Sequence, residues 1–282
     1  IYCKDKDYYV KIYLRFLKEV LINFMTFNTK YNETEVLENE AKKEFDENSV
    51  IFIKNLFQKE FCEEVKNHIL EKEDEIISKY SSDKKGLVLD NIQNQKLIKY
   101  FEYPFSFDRI TFGKFSQSKI YKIAENLLQD NVYIFSMELH SRIALGTIIP
   151  PHQDNAYYGL EKGKALTFYV PLDEQNPLNG GLRYCSNPIK KEYEHTISKE
   201  KGFSLTMSDK KKINDLKKLD PYYNAGDCTV HHSRSIHYAN SVPAEVERGI
   251  VLRMSFYSVN DKQKSDHAKW YRNIVEQNRL VN

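Results

Sequence analysis

The sequence predicts an α+β fold in which helices fill the first half of the chain and short strands the second half. Apolar residues recur at helical spacing over residues 8–27 and 56–77, and again over residues 120–127. Later in the chain the pattern changes to short runs rich in β-branched and aromatic residues, at 132–140, 165–172, 182–185, 227–232 and 250–257. Because the two patterns are segregated along the chain, we expect an α+β layout and not alternating βαβ units.

The remaining stretches set the predicted domain boundaries. Residues 28–47 are polar and acidic, which is typical of a linker or a weak helix, so residues 1–47 are predicted to form an N-terminal helical extension and linker. Residues 48–282 are predicted to form one domain, which begins with a short strand at 50–53 and ends in a polar helix at 265–280.

The composition excludes several classes of protein. Of the 282 residues, 41% are hydrophobic and 13% aromatic, which is enough for a substantial core. The formal net charge of +2 provides no strong field that would favour nucleic acid or a membrane surface, and charged residues interrupt the apolar stretch at 10–27. The four cysteines form no Cys-x-x-Cys motif, which favours a reducing compartment over a disulfide framework. We therefore expect a soluble, cytoplasmic protein whose partner is a small molecule.

Two short motifs carry residues suited to metal chemistry. His152 and Asp154 follow Pro150 and Pro151, which favour an extended backbone, and residues i and i+2 of a strand point to the same face. His237, which lies further along the chain, offers a third ligand. Two histidines and one carboxylate on one face of a metal leave open positions for a co-substrate and dioxygen, as in non-haem Fe(II) oxygenases. Zinc is the main alternative, although hydrolytic zinc sites more often use three histidines or two histidines and a glutamate.

The residues around these motifs resemble the phytanoyl-CoA dioxygenase family of Fe(II)/2-oxoglutarate oxygenases over roughly residues 130–258. The matching segments are His152-Gln153-Asp154 with Tyr157 and Tyr158, the run 170–173 leading into Asn179-Gly180-Gly181-Leu182-Arg183, and Gly226-Asp227 with His232, His237 and Arg248. Two departures concern residues 185–188, which read Cys-Ser-Asn-Pro where the family often has Pro-Gly-Ser-His, and Ala239, where the family often has serine. One hydrogen bond to the co-substrate is therefore missing here or supplied elsewhere.

The resemblance implies a double-stranded β-helix, a cupin-like jelly roll with a mainly β core and helices packed on one face. It also implies that His152, Asp154 and His237 are the catalytic ligands of Fe(II). 2-Oxoglutarate and O2 are then the co-substrates, with the far carboxylate of 2-oxoglutarate on Arg248. Because an aspartate fills the carboxylate position, the resemblance favours hydroxylation, with release of succinate and CO2, over halogenation. A jelly-roll metalloenzyme without a keto acid, such as an isomerase or lyase, and a degenerate binding module are the alternatives from other classes.

Several of these assignments have competitors in the sequence. His231 and His232 compete with His237 as the third ligand, and the interval to Arg248 favours His237. The resemblance places His232 in a supporting role at the end of its strand and leaves His231 as a surface or core residue. Arg253 is the weaker competitor of Arg248 for the keto acid.

The substrate contacts are the least determined part of the site. Tyr157, Tyr158 and Arg183 are predicted to face the substrate. Packing is the simpler role for the two tyrosines, and a salt-bridged strand position is the alternative for Arg183. The segment 186–224 is long for a connection between strands and has an excess of lysines between residues 190 and 219. It is predicted to be either a solvated surface excursion or a lid over the iron, and as a lid its lysines would favour an anionic substrate.

Overall fold

The computed structural model describes residues 30–281 apart from 83–85, 93, 145–147 and 201–202. The helix predicted at 8–27 lies outside these residues. The described helices are α1 (Asn39–Asn48), α2 (Lys59–Glu71), α3 (Glu73–Tyr80), α4 (Pro104–Phe107), α5 (Arg109–Gly113), α6 (Ser118–Leu128), α7 (Asn155–Tyr158) and α8 (His267–Val281). None of these helices is long and apolar enough to cross a bilayer.

The described strands form two main antiparallel sheets and a hairpin. They are β1 (Val50–Ile53), β2 (Leu87–Ile92), β3 (Gln95–Phe101), β4 (Val132–Arg142), β5 (Ile149–His152), β6 (Ala165–Pro171), β7 (Arg183–Cys185), β8 (His195–Ile197), β9 (Leu205–Met207), β10 (Lys218–Leu219), β11 (Cys228–His232), β12 (Ile236–Ala239) and β13 (Gly249–Ser258). The large sheet has the order β1-β11-β6-β13-β4-β3-β2, the smaller sheet β10-β7-β12-β5, and β8 pairs with β9. The two main sheets share a buried cluster of side chains between them. This topology confirms the predicted jelly roll.

Alternate residues of the large sheet point to two different environments. On β13, Ile250, Leu252 and Phe256 join the main hydrophobic cluster, which also contains residues of α2, α3 and α6. Val251 belongs instead to the cluster between the two sheets, and Arg253 lines a cavity on the same side. Because side chains of a strand alternate between its faces, a single position along β13 decides whether a residue meets the helices or the interior between the sheets.

The predicted strands from residue 132 onward match β4, β6, β7, β11 and β13 to within two residues at each end. The strands β2 and β3 are not predicted: the polar stretch at the start of residues 78–92 indicates a loop that would include β2, and the sequence is assigned no element over β3. In the structure these two strands pair at the edge of the large sheet, and β3 continues the sheet from β4. Only long-range pairing distinguishes such an edge hairpin from a polar loop.

The helix α1 runs across the boundary predicted between residues 47 and 48. Its Ala41 and Phe45 are fully buried in the main hydrophobic cluster, and Tyr31 pairs with Ile53 of β1. Of the two alternatives for this polar stretch, linker or weak helix, the structure contains a helix over its last nine residues, 39–47. The described residues 30–47 therefore pack on the jelly-roll core, because two apolar side chains one turn apart anchor an otherwise polar helix.

Candidate metal centre

Two neighbouring strands of the smaller sheet bring three potential metal ligands together. β12 pairs with β5 so that His237 lies directly opposite His152, and Asp154 follows His152 by two residues. One donor atom of each residue lies within 4.8 Å of the other two, and all three side chains are buried. Nε2 of His152 and Nε2 of His237 each lie 3.6 Å from Oδ1 of Asp154. The residues proposed as ligands therefore form a single buried cluster.

Backbone carbonyl groups orient both imidazole rings. Nδ1 of His152 lies 2.8 Å from the carbonyl oxygen of Pro150, and Nδ1 of His237 lies 3.1 Å from that of Ser235. Since a carbonyl oxygen can only accept, each Nδ1 carries a proton and each Nε2 offers a lone pair to the cluster. Burial and the neighbouring His152 hold the pKa of His237 well below its usual value, so its ring is neutral and able to ligate.

Asp154 turns one oxygen towards the histidines and the other towards the protein. Its Oδ2 accepts hydrogen bonds from Tyr158, Thr167, His231 and Arg253 over distances of 3.2–3.4 Å. Burial alone would raise the pKa of this carboxyl group, but the Arg253 guanidinium lowers it well below its usual value. Oδ1 is therefore available as an ionised, monodentate ligand.

This donor set fits an Fe(II) ion. Two imidazoles and one carboxylate form the facial triad of non-haem Fe(II) oxygenases, and among the described residues no thiolate or third histidine, as is typical of zinc, joins these three in the cluster. His152, Asp154 and His237 all line one cavity, so a metal ion held by them would face open space in which a co-substrate can bind.

The cavity has a volume of about 480 Å³, which is within the range of small-molecule sites. Aromatic residues form its wall near the ligands: Tyr157, Tyr158, Phe203 and Tyr271. Polar residues from β4 and β13 form another wall: Glu138, His140, Arg142 and Arg253. The site thus combines apolar surface with a few buried charged groups.

Two of the three predicted substrate contacts line this cavity. The ring of Tyr157 lies 5.5 Å from that of His152, and Tyr158 donates to Asp154, so both tyrosines belong to the walls of the site. Their contact with a substrate stays a prediction. Arg183 does not line the cavity and forms a two-point ion pair with Asp220 at 2.8 and 2.7 Å. The salt-bridged alternative therefore describes Arg183.

The structure places Arg248 away from the cavity, which contradicts the contact predicted for it. Arg248 precedes β13 and points to the helix side of the large sheet. There it donates to Glu73 of α3 at 2.7 Å, to the carbonyl oxygen of Ile98 at 2.8 Å and to Ser141 at 2.7 Å. Arg248 does lie immediately before a strand, as its position ahead of an apolar run predicts. A shift of one residue, however, moves a strand side chain to the opposite face.

Arg253, the weaker competitor in the sequence, does reach the cavity. Its guanidinium lies 3.3 Å from Glu138 and 3.3 Å from Asp154. Burial alone would lower the pKa of Arg253, but these two carboxylates raise it above its usual value. Arg253 is therefore already paired with two anions and acts as a support for Asp154.

The neighbouring histidines of β11 have the reverse of their predicted roles. His231 is fully buried and points to the metal ligands, with Nε2 3.3 Å from Oδ2 of Asp154. His232 points to the helix side, where it packs edge-on against Phe45. The family pattern suggested His232 as the supporting residue, but the alternation along β11 gives that position to His231.

The polar face of β4 is not predicted from the sequence. Glu138, His140 and Arg142 line the cavity, whereas Leu139 between them packs into the main hydrophobic cluster. Glu138 and His140 are hydrogen-bonded at 3.0 Å. These three ionisable residues alternate with other residues along a predicted core strand. Such a pattern indicates a buried polar site, so the sequence does contain the information needed to predict it.

The segment 186–224 contains the hairpin β8–β9 and reaches the cavity only in part. Phe203 and Ser204 line the cavity, and the ring of Phe203 lies 6.1 Å from that of His152. None of the described lysines between residues 190 and 219 lines it. The structure therefore gives no support to the anionic substrate inferred from those lysines, and a lid function of the segment stays a prediction.

A comparison with protein families agrees with this geometry. The model of the family described as Phytanoyl-CoA dioxygenase (PhyH) matches residues 45–248, which is more than half of the chain and includes all three ligands. No curated protein sequence matches the chain significantly.

Solved structures with the same fold include several enzymes of low sequence identity. EctD from S. alaskensis with bound Fe has a TM-score of 0.65 at 15% identity, over 81% of this chain and 79% of that chain. The non-heme alpha ketoglutarate dependent epimerase SnoN from nogalamycin biosynthesis has a TM-score of 0.62 at 14% identity, over 82% and 86%. AviO1 from Streptomyces viridochromogenes Tue57 has a TM-score of 0.60 at 11% identity, over 80% and 97%. These likenesses establish the shared fold.

Proposed function

The chain belongs to the phytanoyl-CoA dioxygenase family, and from this we propose that it is a dioxygenase that hydroxylates a small molecule at the expense of 2-oxoglutarate. Iron and 2-oxoglutarate are its cofactor and co-substrate, as the family and the donor set of His152, Asp154 and His237 assign. When bound, they would let O2 act as the oxidant, so that one of its oxygen atoms enters a C–H bond of the substrate and the other enters succinate, with release of CO2. The buried triad at the wall of a cavity of small-molecule size is the observation that carries the proposal.

The chain's own residues supply geometry, polarity and shielding from water. The carbonyl groups of Pro150 and Ser235 accept hydrogen bonds from Nδ1 of the two ligand histidines, which aims their Nε2 atoms at the metal position. Four donors hold the second oxygen of Asp154, which keeps this ligand ionised and fixed. The aromatic wall excludes solvent from the position where a substrate would lie.

The cavity favours a compact substrate without a large net charge. Three cationic and three anionic side chains line it, namely Lys99, Arg142 and Arg253, and Glu102, Glu138 and Asp154. Most of them already have a partner of opposite charge within the protein. Lys99 lies 3.7 Å from Asp90, and Arg253 is paired with Glu138 and Asp154. We therefore propose a neutral or zwitterionic substrate that packs on the aromatic wall. Because SnoN has been determined in complex with Fe3+, alpha ketoglutarate and nogalamycin RO, natural products are one class to screen.

The proposal is tested by succinate release. Protein loaded with Fe(II) and 2-oxoglutarate under nitrogen is mixed with oxygenated buffer and a panel of neutral and zwitterionic compounds. A true substrate should increase succinate formation, and His152→Ala, Asp154→Ala and His237→Ala should each abolish it. These variants should retain the circular dichroism spectrum of the wild type, since the ligands lie at a cavity and not in the hydrophobic core. His232→Gln is the control, because this histidine points away from the site.

The mass of the product separates hydroxylation from its alternatives. Hydroxylation adds one oxygen atom per succinate, whereas an epimerisation would release succinate without a change in substrate mass. An isomerase or lyase would convert its substrate without consuming 2-oxoglutarate, and a degenerate binding module would bind ligands without turnover. An epimerisation would contradict the hydroxylation, and either of the last two results would contradict an oxygenase altogether.

A further inference from the structure

We propose that Arg142, at the end of β4, is the residue that binds the far carboxylate of 2-oxoglutarate in this protein. The assignment rests on the proposed function, since it requires that the keto acid binds in this cavity. A 2-oxoglutarate molecule whose keto-acid end lies at the metal needs a cation for its second carboxylate at the edge of the same cavity. The described cations that line the cavity are Lys99, Arg142 and Arg253.

Strand pairing directs Arg142 into the cavity. Gly249, the first residue of β13, lies directly opposite Arg142 on β4, and cross-strand partners share one face of a sheet. The next pairs in this register, Val251 with His140 and Arg253 with Glu138, face the interior between the sheets. The interior position at the start of β13 therefore belongs to Gly249, which has no side chain. Arg142 of the adjacent strand supplies the cation at that position.

Arg142 is a buried cation without an anionic partner. Its side chain is only 6% exposed, and no Asp or Glu of the described residues forms an ion pair with it. Burial lowers the pKa of Arg142, and the main opposing influence comes from Tyr169 and not from a carboxylate. A buried charge without a counter-charge is costly. By contrast, Arg253 has two carboxylate partners and Lys99 is paired with Asp90.

The guanidinium group of Arg142 is held in a fixed orientation by backbone carbonyls. Nε donates to Gly180 at 2.6 Å and Nη2 donates to Asn240 at 2.7 Å. Gly180 has φ +89°, and a Cβ atom there would lie 2.4 Å from Val242 and 3.1 Å from Nε of Arg142. The Gly-Gly turn therefore makes room for the arginine. Among the described residues, Nη1 has no hydrogen-bond partner, so this edge of the guanidinium is available to a ligand.

The surroundings of Arg142 suit a carboxylate that is shielded from water. Ile149 and Leu182, together with Tyr169, line the same cavity and belong to the hydrophobic cluster between the sheets. In such surroundings a charge-assisted hydrogen bond is stronger than at an exposed site. Arg142 lies on the interior face with the metal ligands, and Arg248 lies on the opposite face.

The test compares two keto acids that differ only at the far end. 2-Oxoglutarate carries the second carboxylate, and 2-oxobutyrate lacks it. Each is titrated into the Fe(II)-loaded protein under nitrogen and followed by the visible absorbance of the iron–keto acid chelate, which needs no turnover. We expect the wild type to prefer 2-oxoglutarate, and Arg142→Met to lose this preference by roughly tenfold to hundredfold. Arg142→Lys should retain part of it, because an ammonium group keeps the charge but not the planar geometry.

The same measurement on a control variant decides between the two arginines. The double variant Arg248→Met/Glu73→Gln removes the other arginine together with its counter-charge, and it should keep the preference of the wild type. Equal weakening of both keto acids in Arg142→Met and Arg142→Lys would show that Arg142 is only structural. An unchanged preference in these variants, or its loss in the control, would also overturn the assignment. A wild-type protein that binds neither keto acid would overturn the proposed function, and this assignment with it.

Discussion

At the scale of single residues, the metal ligands depend on partners that do not ligate themselves. His231 is fully buried, and its Nε2 lies 3.3 Å from Oδ2 of Asp154 while its Nδ1 lies 3.2 Å from the hydroxyl of Tyr184. Burial lowers the pKa of His231, so the neutral ring donates to the carboxylate and accepts from the tyrosine. His231 is therefore a positioning residue that holds Asp154 in its orientation.

We expect His231→Leu to weaken iron binding by about tenfold to hundredfold, which is typical of the loss of a hydrogen-bond partner of a metal ligand. His231→Gln, which keeps a donor, should restore part of the affinity. Anaerobic Fe(II) titration measures both. His232→Gln is the matched control, because His232 points to Phe45 on the other face of the sheet. If His231→Leu binds iron as tightly as the wild type, the remaining donors are sufficient to hold Asp154.

At the scale of elements, an ion pair attaches β13 to the helix layer. Arg248 and Glu73 lie 2.7 Å apart, with side chains only 14% and 11% exposed. Glu73 also accepts a hydrogen bond from the backbone N–H of Ile98 at 2.6 Å. Helix α3, strand β3 and the start of β13 therefore meet at one buried polar contact.

Arg248→Met leaves the Glu73 carboxylate buried without its counter-charge. We expect the free energy of unfolding to fall by about 3–5 kcal/mol, as for other buried ion pairs that lose one partner. The double variant with Glu73→Gln should recover most of this loss, because neither charge then remains. Urea denaturation gives both values. A loss below about 1 kcal/mol would indicate an ion pair that is effectively solvated.

A second connection between elements is made by Gln153, which lies between two metal ligands in the sequence. Its side-chain amide donates to the carbonyl groups of Lys191 and Arg234, and its Oε1 accepts from the backbone N–H of Tyr193 at 2.8 Å. Its own backbone N–H donates to Nε2 of His195 at 3.0 Å. The metal-ligand strand and the first part of segment 186–224 are therefore joined through one buried side chain.

Gln153→Ala should release this connection and accelerate tryptic cleavage after Lys191 and Lys199. In the wild type, cleavage should slow when iron, 2-oxoglutarate and a true substrate are present under nitrogen, because Phe203 would then pack on the substrate. Limited proteolysis followed by mass spectrometry measures both effects. Equal cleavage of the empty and the fully loaded wild type would rule out a lid, and unchanged cleavage of Gln153→Ala would rule out the connection.

At the scale of the whole molecule, the interior contains several histidines in the neutral form. Burial lowers the pKa of His232 to about 3 and that of His195 to about 4. Burial also lowers the pKa values of His140, His231 and His237. The unfolded chain takes up protons on these residues near pH 6.5, whereas the folded protein does not. Folding stability is therefore complete above this pH and falls as the pH decreases towards the folded pKa values.

We expect the metal-free protein to lose about 1–2 kcal/mol of stability for each of His232 and His195 between pH 6.5 and pH 5. Urea denaturation at several pH values measures the slope. Carboxylates contribute mainly below pH 4, so they do not dominate this window. His232→Leu should make the slope shallower, because it removes one of the neutral histidines. A stability that does not change between pH 7 and pH 5 would contradict this assignment of protonation states.

The sequence by itself indicated the metal ligands, the helices over residues 56–77 and 120–127 and five of the strands after residue 131, and its family resemblance implied the jelly roll. His237 was identifiable through the interval to Arg248 that the family resemblance supplies, whereas His152 and Asp154 were identifiable because their ligand chemistry and their spacing of two residues are local properties of the chain. The five predicted strands were identifiable for the same reason, since β-branched and aromatic runs do not depend on distant residues. The polar edge hairpin β2–β3 was not, because only pairing with the rest of the sheet distinguishes it from a loop.

Only the tertiary structure decided which side of the sheet each polar residue occupies. Arg248 was predicted for the cavity and lies among the helices, whereas Arg142 was not considered and lines the cavity. In the same way, His231 and not His232 supports Asp154. The physical reason is that neighbouring residues of a strand have nearly the same local sequence context but opposite environments. The choice between them depends on the pairing register and on what packs against each face of the sheet.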